Sequence, residues 1–126
     1  TLNKFQTQMT EIQNKKHYDL EKRTLSFALA VRDFTKRLPK TPSNFEYVKQ
    51  LIRSSSSIGA NYIEANESLG KKDFGMRIRI SRKEAKETIY WLTLIECESN
   101  TTDRDRLLDE CTQLMKIFGA ILEKCS

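Results

Sequence analysis

Five basic side chains in the second half of the chain are spaced so that they could share one side of a helix. At 3.6 residues per turn they fall within an arc of about 100°, and no acidic residue lies on that arc. A rigid row of cations suits a phosphate backbone, because each contact neutralises a phosphate and releases its counterion. The row therefore predicts binding to RNA or DNA. Its members are Lys72, Arg79, Arg82, Lys83 and Lys86.

The charge distribution agrees with this interpretation but also has a simpler explanation. Residues 69–86 contain seven Lys or Arg against two acidic residues, and residues 87–126 are net acidic, in a chain of formal net charge +5. Such asymmetry is typical of a binding face. The alternative is the ordinary charged outer face of a bundle helix. No aromatic-rich platform for stacking on bases accompanies the row, so readout of base sequence is not expected.

Residues suited to catalysis or metal binding are few. The chain has one histidine, His17, and its cysteines Cys97, Cys111 and Cys125 form no Cys-x-x-Cys pair. The Glu-x-x-His motifs of two-metal bundle enzymes do not occur in the sequence. We therefore expect no enzymatic activity, no metal and no cofactor. Cys111 and Cys125 lie two heptads apart on an apolar stripe and are expected in the core, whereas Cys97 is expected on the outer side of a helix.

The hydrophobic pattern places these residues on helices. With 38% hydrophobic residues, four Gly and two Pro, the composition favours an all-helical chain. Apolar residues recur at spacings of three and four in segments that we place at about residues 19–38, 43–69, 72–99 and 102–125, and short connections imply antiparallel neighbours. We predict an all-α, antiparallel up-down-up-down four-helix bundle over residues 18–126. Residues 1–17 are predicted to be a tail or a short docking helix.

The sequence shows no sign of membrane insertion or export. No apolar run has the length needed to span a bilayer, and residues 1–17 lack the continuous apolar core of a signal peptide. We therefore expect a cytoplasmic protein.

The second predicted helix carries two stripes instead of one. The first is apolar or small, runs through Leu51, Ser55, Gly59 and Tyr62, and is expected to face the bundle core. Small side chains at heptad spacing let another backbone approach closely, so the second stripe, on roughly the opposite side, predicts a subunit interface. The alternative is a solvated, serine-rich face. The second stripe consists of Gln50, Ser54, Ser57, Asn61 and Glu64.

Charged residues near the inner seams of the second and third helices predict an ionic network. Arg77 and Glu84 fall near the seam of the third helix, where charges must find partners. Glu87, at the edge of the seam, and Arg53 and Glu64, on the second helix, are available to pair with them. Such a network would join two helices, or two subunits, and fix their register. The alternative is that the long side chains reach past the seam to water.

Two motifs resemble a known bacterial family. The first reads Ser-Ile-Gly-Ala-Asn-Tyr-Ile-Glu-Ala-Asn-Glu at residues 57–67, and the second reads Lys-Glu-Ala-Lys-Glu-Thr-Ile-Tyr-Trp-Leu at residues 83–92. They resemble the four-helix-bundle family whose founding members are encoded by intervening sequences within 23S ribosomal RNA genes. Compared with the commoner pattern Ser-Ile-x-x-Asn-Ile-Ala-Glu-Gly, the residues Ser57, Ile58, Asn61 and Glu64 match, whereas Tyr62, Ile63 and Ala65 depart. The resemblance covers roughly residues 18–124.

The resemblance implies an antiparallel bundle that assembles into a ring-shaped homopentamer. It extends to the accessory protein of diversity-generating retroelements, a basic pentamer that binds reverse transcriptase and nucleic acid. We accordingly predict a non-enzymatic, oligomeric bundle that binds RNA or DNA non-specifically through the basic row. The alternative is a protein-interaction scaffold or polymerase accessory ring, with a reverse transcriptase or another protein as its partner, that does not itself bind nucleic acid.

Overall fold

The computed structural model describes residues 19–125, which form four α-helices joined by short connections. The helices are α1 (Leu20–Thr35), α2 (Pro42–Asn66), α3 (Lys71–Leu94) and α4 (Thr101–Cys125), with one turn of 3-10 helix at Glu98–Asn100. α1 packs on α2 and α4, and α3 packs on the same two helices. The predicted all-α four-helix bundle is confirmed. The predicted tail or docking helix at residues 1–17 lies outside the described residues.

Within residues 19–125, no helix combines the length and the apolar character needed to cross a membrane.

Local signals set the helix ends, and some differ from the predicted ones. Asp19 caps α1, because its carboxylate accepts hydrogen bonds from two backbone N–H groups of the first turn. α2 begins at Pro42, one residue before the predicted start at residue 43, because the Thr41 hydroxyl accepts a backbone N–H three residues on and Pro42 takes the first helical position. Gly70 is the N-cap of α3, which begins at Lys71, one residue before the predicted start at residue 72.

A buried asparagine accounts for the early end of α3, which stops at Leu94 and not near the predicted Ser99. Asn44, near the start of α2, is 2% exposed. Its Nδ2 donates to the carbonyls of Pro39 and Glu96, both at 2.9 Å, and its Oδ1 accepts from the Glu96 N–H at 2.9 Å. One amide therefore ties the connection at residues 36–41 to the connection at residues 95–100.

The turn at Glu96 also carries a cysteine inward. Cys97 is 5% exposed, so the predicted outer position for this residue is wrong. Cys111 and Cys125 are buried as expected. Burial raises the pKa of all three thiols, that of Cys111 to about 12.

The core follows the predicted heptad seams of the first, third and fourth helices. At its centre the rings of Tyr62 on α2 and Phe118 on α4 lie 5.8 Å apart between centroids, across the diagonal of the bundle. The buried seam residues are Leu20, Thr24, Phe27, Val31, Phe34 and Leu38; Phe74, Ile78, Ser81, Ala85, Thr88, Leu92 and Ile95; and Leu107, Cys111, Leu114, Phe118, Ile121 and Cys125.

α2 is packed on two sides, as its two stripes indicated, but both partners belong to its own chain. On one side α1 comes so close that a Cβ added at Gly59 would lie 2.7 Å from Thr24 Oγ1. On the other side α3 approaches the small residues, and Thr88 Oγ1 lies 2.8 Å from Ser54 Oγ. Ser54 is 0% exposed. It is therefore a core residue and not, as predicted, a subunit-interface residue.

Candidate nucleic-acid interface

The outer face of α3 presents the predicted basic row to solvent. The row extends about 21 Å along the helix axis, at 1.5 Å per residue. The opposite side of α3 is buried, so a rigid element holds the charges. Among the described residues, none of the five side chains forms an ion pair with a carboxylate. Lys72, Arg79, Lys83 and Lys86 are exposed, and Arg82 is half-buried.

Arg82 differs from the other four because its side chain packs against α4. Its Cδ lies 3.9 Å from the position that a Cβ would take at Gly119. The stem of Arg82 thus lies against α4 at ordinary van der Waals distance, which makes it the most buried of the five cations.

A groove of about 390 Å³ adjoins one end of the row, between the start of α3 and the end of α4. Its α3 side includes Lys71, Lys72 and Arg79, and its α4 side includes Leu122 and Cys125. The groove thus combines cations with an apolar wall, which suits an anionic group attached to a flat or apolar body.

Arg53 on α2 forms ion pairs with both acidic residues beside the row. Its Nη1 lies 3.2 Å from Glu84 Oε1, and its Nη2 lies 3.1 Å from Glu87 Oε2. The Glu84 side chain is 10% exposed and that of Glu87 is 43% exposed. The structure thus brings together three members of the predicted ionic network, and the shared guanidinium limits the repulsion that two carboxylates would exert on a bound phosphate.

The two carboxylates differ in protonation. Burial raises the pKa of Glu84, and its hydrogen bond with Glu87 raises it further. The pKa of Glu87 is lowered, first by that hydrogen bond with Glu84 and then by the hydrogen bond from Arg53. Glu84 therefore takes up a proton at a higher pH than Glu87 does.

Arg77 does not join this cluster, contrary to the prediction. Its Nη1 donates to Asn61 Oδ1 at 3.3 Å, and Asn61 Nδ2 donates to the Ser57 carbonyl at 2.9 Å. Arg77 therefore bridges α3 to α2 through an amide and not through a carboxylate. Of the predicted interface stripe, Ser57 and Asn61 are half-buried, whereas Gln50 and Glu64 are exposed.

Sequence reasoning missed an aromatic side chain on the same face. Tyr90 follows Lys83 by seven residues and Lys86 by four, so it continues the row along the helix. Its side chain is 58% exposed. The ring stands edge-on to Trp91, with centroids 5.1 Å apart and planes at 76°, and Trp91 lies 6.2 Å from the Tyr47 ring of α2. The heptad spacing from Lys83 was the signal that could have identified it.

These features define a small antiparallel helical bundle with one basic outer face. The model of the family described as "23S rRNA-intervening sequence protein" matches residues 16–120, and the chain belongs to that family. The chain is also similar to a crystal structure of a protein with unknown function from the S23 ribosomal protein family of Bacteroides thetaiotaomicron VPI-5482. The two are 31% identical with a TM-score of 0.71, over 82% of this chain and 98% of that chain. A comparison with curated proteins gives no significant match.

Proposed function

We propose that the protein binds RNA or DNA through the outer face of α3, without enzymatic activity and with little preference for base sequence. One observation carries the proposal: five cations share this face, and within residues 19–125 none of them forms an ion pair with an acid; only the charge of Lys83 acts at longer range, where it helps to lower the pKa of Glu87. The position of Arg53 also supports the proposal, because its positive charge screens Glu84 and Glu87, the carboxylates nearest to the row.

Phosphate contacts of this kind have a defined salt dependence. Each contact contributes a slope of about 0.7 to 0.9 in log affinity against log salt, so five contacts would give a slope of about 3.5 to 4.5. Binding is therefore expected at low salt and weak at physiological salt.

The test removes charge from the row and measures binding by fluorescence anisotropy. Arg79, Lys83 and Lys86 are changed together to Gln; Arg82 is kept because its stem packs against Gly119. The salt slope should fall by about 2 to 3, since three phosphate contacts are lost, and affinity at low salt should fall with it. The probes are a single-stranded RNA and a duplex DNA, each at low and physiological salt.

A matched variant separates the row from net charge. Changing the exposed lysines Lys22, Lys36 and Lys116 to Gln removes the same three charges from other surfaces and should leave the slope almost unchanged. An equal loss of affinity and of salt slope in the two triple variants would contradict the proposal, and so would a wild type that does not bind at low salt. Circular dichroism of each variant checks that helicity is retained.

The exposed apolar side chains of α1 and α2 favour a second candidate, a protein-interaction scaffold. Phe45, Ile52 and Ile63 are 66%, 36% and 49% exposed and lie within about 20° of one line along α2. Leu25 and Leu29 on α1 are 58% and 40% exposed. An aligned set of exposed apolar side chains suits a contact with another protein. The partner would be further copies of the chain, as in the pentamer that the family resemblance implies, or another protein such as a reverse transcriptase.

A further inference from the structure

The outer face of α3 carries an aromatic ring beside its cations, and this adds a property to the proposed binding. We propose that Tyr90 stacks on an unpaired nucleobase, so that the face prefers single-stranded to duplex nucleic acid. The inference rests on the proposed function of this face. The unpaired base could belong to RNA or to DNA, and the test distinguishes the two.

The position of Tyr90 matches that of the phosphate contacts. It lies about 6 Å along the helix axis beyond Lys86 and about 10.5 Å beyond Lys83, and the three residues share one arc of the helix. A strand whose phosphates contact the two lysines would bring a neighbouring nucleotide over the ring. Leu94, one turn further and 37% exposed, extends the apolar surface on which a base could rest.

The ring is exposed and is in contact with a second aromatic ring. It is 58% exposed, and its edge-on contact with Trp91, at 5.1 Å and 76°, restricts its orientation. Trp91 is in turn restrained by Tyr47 on α2. A ring that is already oriented loses little side-chain entropy on binding. Because every base has a π-face, stacking of this kind is compatible with binding that ignores sequence.

Duplex nucleic acid cannot use the ring in the same way. Its bases are paired and stacked on one another, so their π-faces are not open to the ring. A duplex therefore offers this face only its phosphates, whereas a single strand offers phosphates and a free base.

The test compares wild type, Tyr90→Leu and Tyr90→Phe by fluorescence anisotropy at a single low salt concentration. The probes are an unstructured oligouridine RNA, an oligothymidine DNA of the same length and a duplex DNA. The Leu variant should bind both single strands about 5- to 150-fold more weakly and the duplex unchanged, while the Phe variant keeps wild-type affinity. Phe45→Leu, which removes an exposed ring from α2, is the matched control and should change none of the three affinities.

The outcomes separate this inference from the proposed function. If the wild type binds and the Leu variant loses affinity for single strand and duplex alike, or loses none, the stacking contact is wrong while binding through the basic row stands. If Tyr90→Leu loses affinity for the RNA probe alone, the stacking contact is also wrong, since Tyr90 would then contact the ribose 2′-hydroxyl and not the base. If the wild type binds none of the probes at low salt, the proposed function fails and this inference with it.

Discussion

Glu84 and Glu87 stand almost one turn apart on α3 and share one guanidinium, yet folding affects them in opposite ways. The buried carboxyl of Glu84 is costly to ionise, so its pKa rises above the ordinary value of a glutamate. Glu87 is nearer to solvent and takes part in hydrogen bonds with Glu84 and Arg53, so its pKa falls below that value. The contributions of the two side chains to stability therefore depend on pH in opposite directions.

We expect Glu84→Gln and Glu87→Gln to show opposite trends of stability with pH. Because the pKa of Glu84 is higher in the folded than in the unfolded protein, this side chain stabilises the fold fully at a pH below its unfolded-state pKa. That stabilisation is lost as the pH rises through its folded-state pKa. The pKa of Glu87 is lower in the folded than in the unfolded protein, so this side chain stabilises the fold at a pH above its unfolded-state pKa. That stabilisation is lost as the pH falls through its folded-state pKa. The difference in free energy of unfolding between wild type and the Glu84 variant should therefore shrink as the pH rises. The corresponding difference for the Glu87 variant should shrink as the pH falls.

Urea unfolding followed by circular dichroism, from about pH 3 to about pH 7, measures both trends. Parallel trends in the two variants would show that the two carboxylates do not titrate as the geometry indicates.

The residues of this cluster could be predicted in part from the sequence. Arg53, Glu84 and Glu87 were found because charges at the edge of a heptad seam must reach a partner across it. The partner of Arg77 could not be found, because the register of α2 against α3 decides that Asn61 lies opposite it. Tyr90 was overlooked because attention to charge alone leaves out a lone aromatic residue at the same spacing.

The crossing of α1 and α2 depends on the absence of one side chain. A Cβ at Gly59 would lie 2.7 Å from Thr24 Oγ1 and 3.0 Å from Thr24 Cβ. The Thr24 hydroxyl is not free to move away, because it donates to the Leu20 carbonyl at 2.7 Å inside α1. The two helices are thus in close contact at this point.

Gly59→Ala should lower the free energy of unfolding by about 1 to 3 kcal/mol, because the added methyl group forces the helices apart. This loss should appear even though alanine is the better helix former by about 1 kcal/mol. Gly75→Ala is the control: nothing lies within 4 Å of its added Cβ, so the helix preference should raise stability. Chemical denaturation measures both, and the addition of Thr24→Ala should restore part of the loss. A Gly59→Ala protein as stable as wild type would mean that the crossing is looser than described.

Heptad periodicity predicted the buried faces of α1, α3 and α4 because each has a single apolar seam. α2 was harder, because small and polar residues occupy two of its sides. The pattern shows that Ser54 permits close approach, but the partner, here Thr88 of the same chain, follows only from three-dimensional packing. Helix ends were misplaced where two capping signals compete, as Thr41 and Ser43 do before α2.

The molecule as a whole has two unlike surfaces. The outer face of α3 is basic, whereas Phe45, Ile52 and Ile63 give α2 an exposed apolar line. The sequence-based interface stripe lies mainly on the side of α2 that faces α3. If copies of the chain associate, the apolar line is therefore the better candidate for the contact.

We expect the wild type to sediment as an oligomer, with a pentamer near five times the 14.7 kDa chain mass as the state that the family resemblance implies. Changing Phe45 and Ile63 together to Glu should shift it toward monomer, because buried charges without partners are costly. Gln50→Glu, on the sequence-predicted stripe and exposed, should leave the assembly intact. Sedimentation velocity at micromolar concentration gives the answer, and a monomeric wild type would exclude self-association.

The hydrogen bonds of Asn44 have a consequence for how the bundle can open. The α1–α2 hairpin and the α3–α4 hairpin are joined covalently at residues 67–70, at one end of the molecule. At the other end two hydrogen bonds between Asn44 and Glu96 hold the two hairpins together, while the bond from Asn44 to Pro39 lies within the α1–α2 hairpin and fixes the position of the Asn44 amide. Separation of the hairpins about residues 67–70, as about a hinge, therefore requires both Asn44–Glu96 bonds to break, which favours cooperative opening of the whole bundle over partial opening.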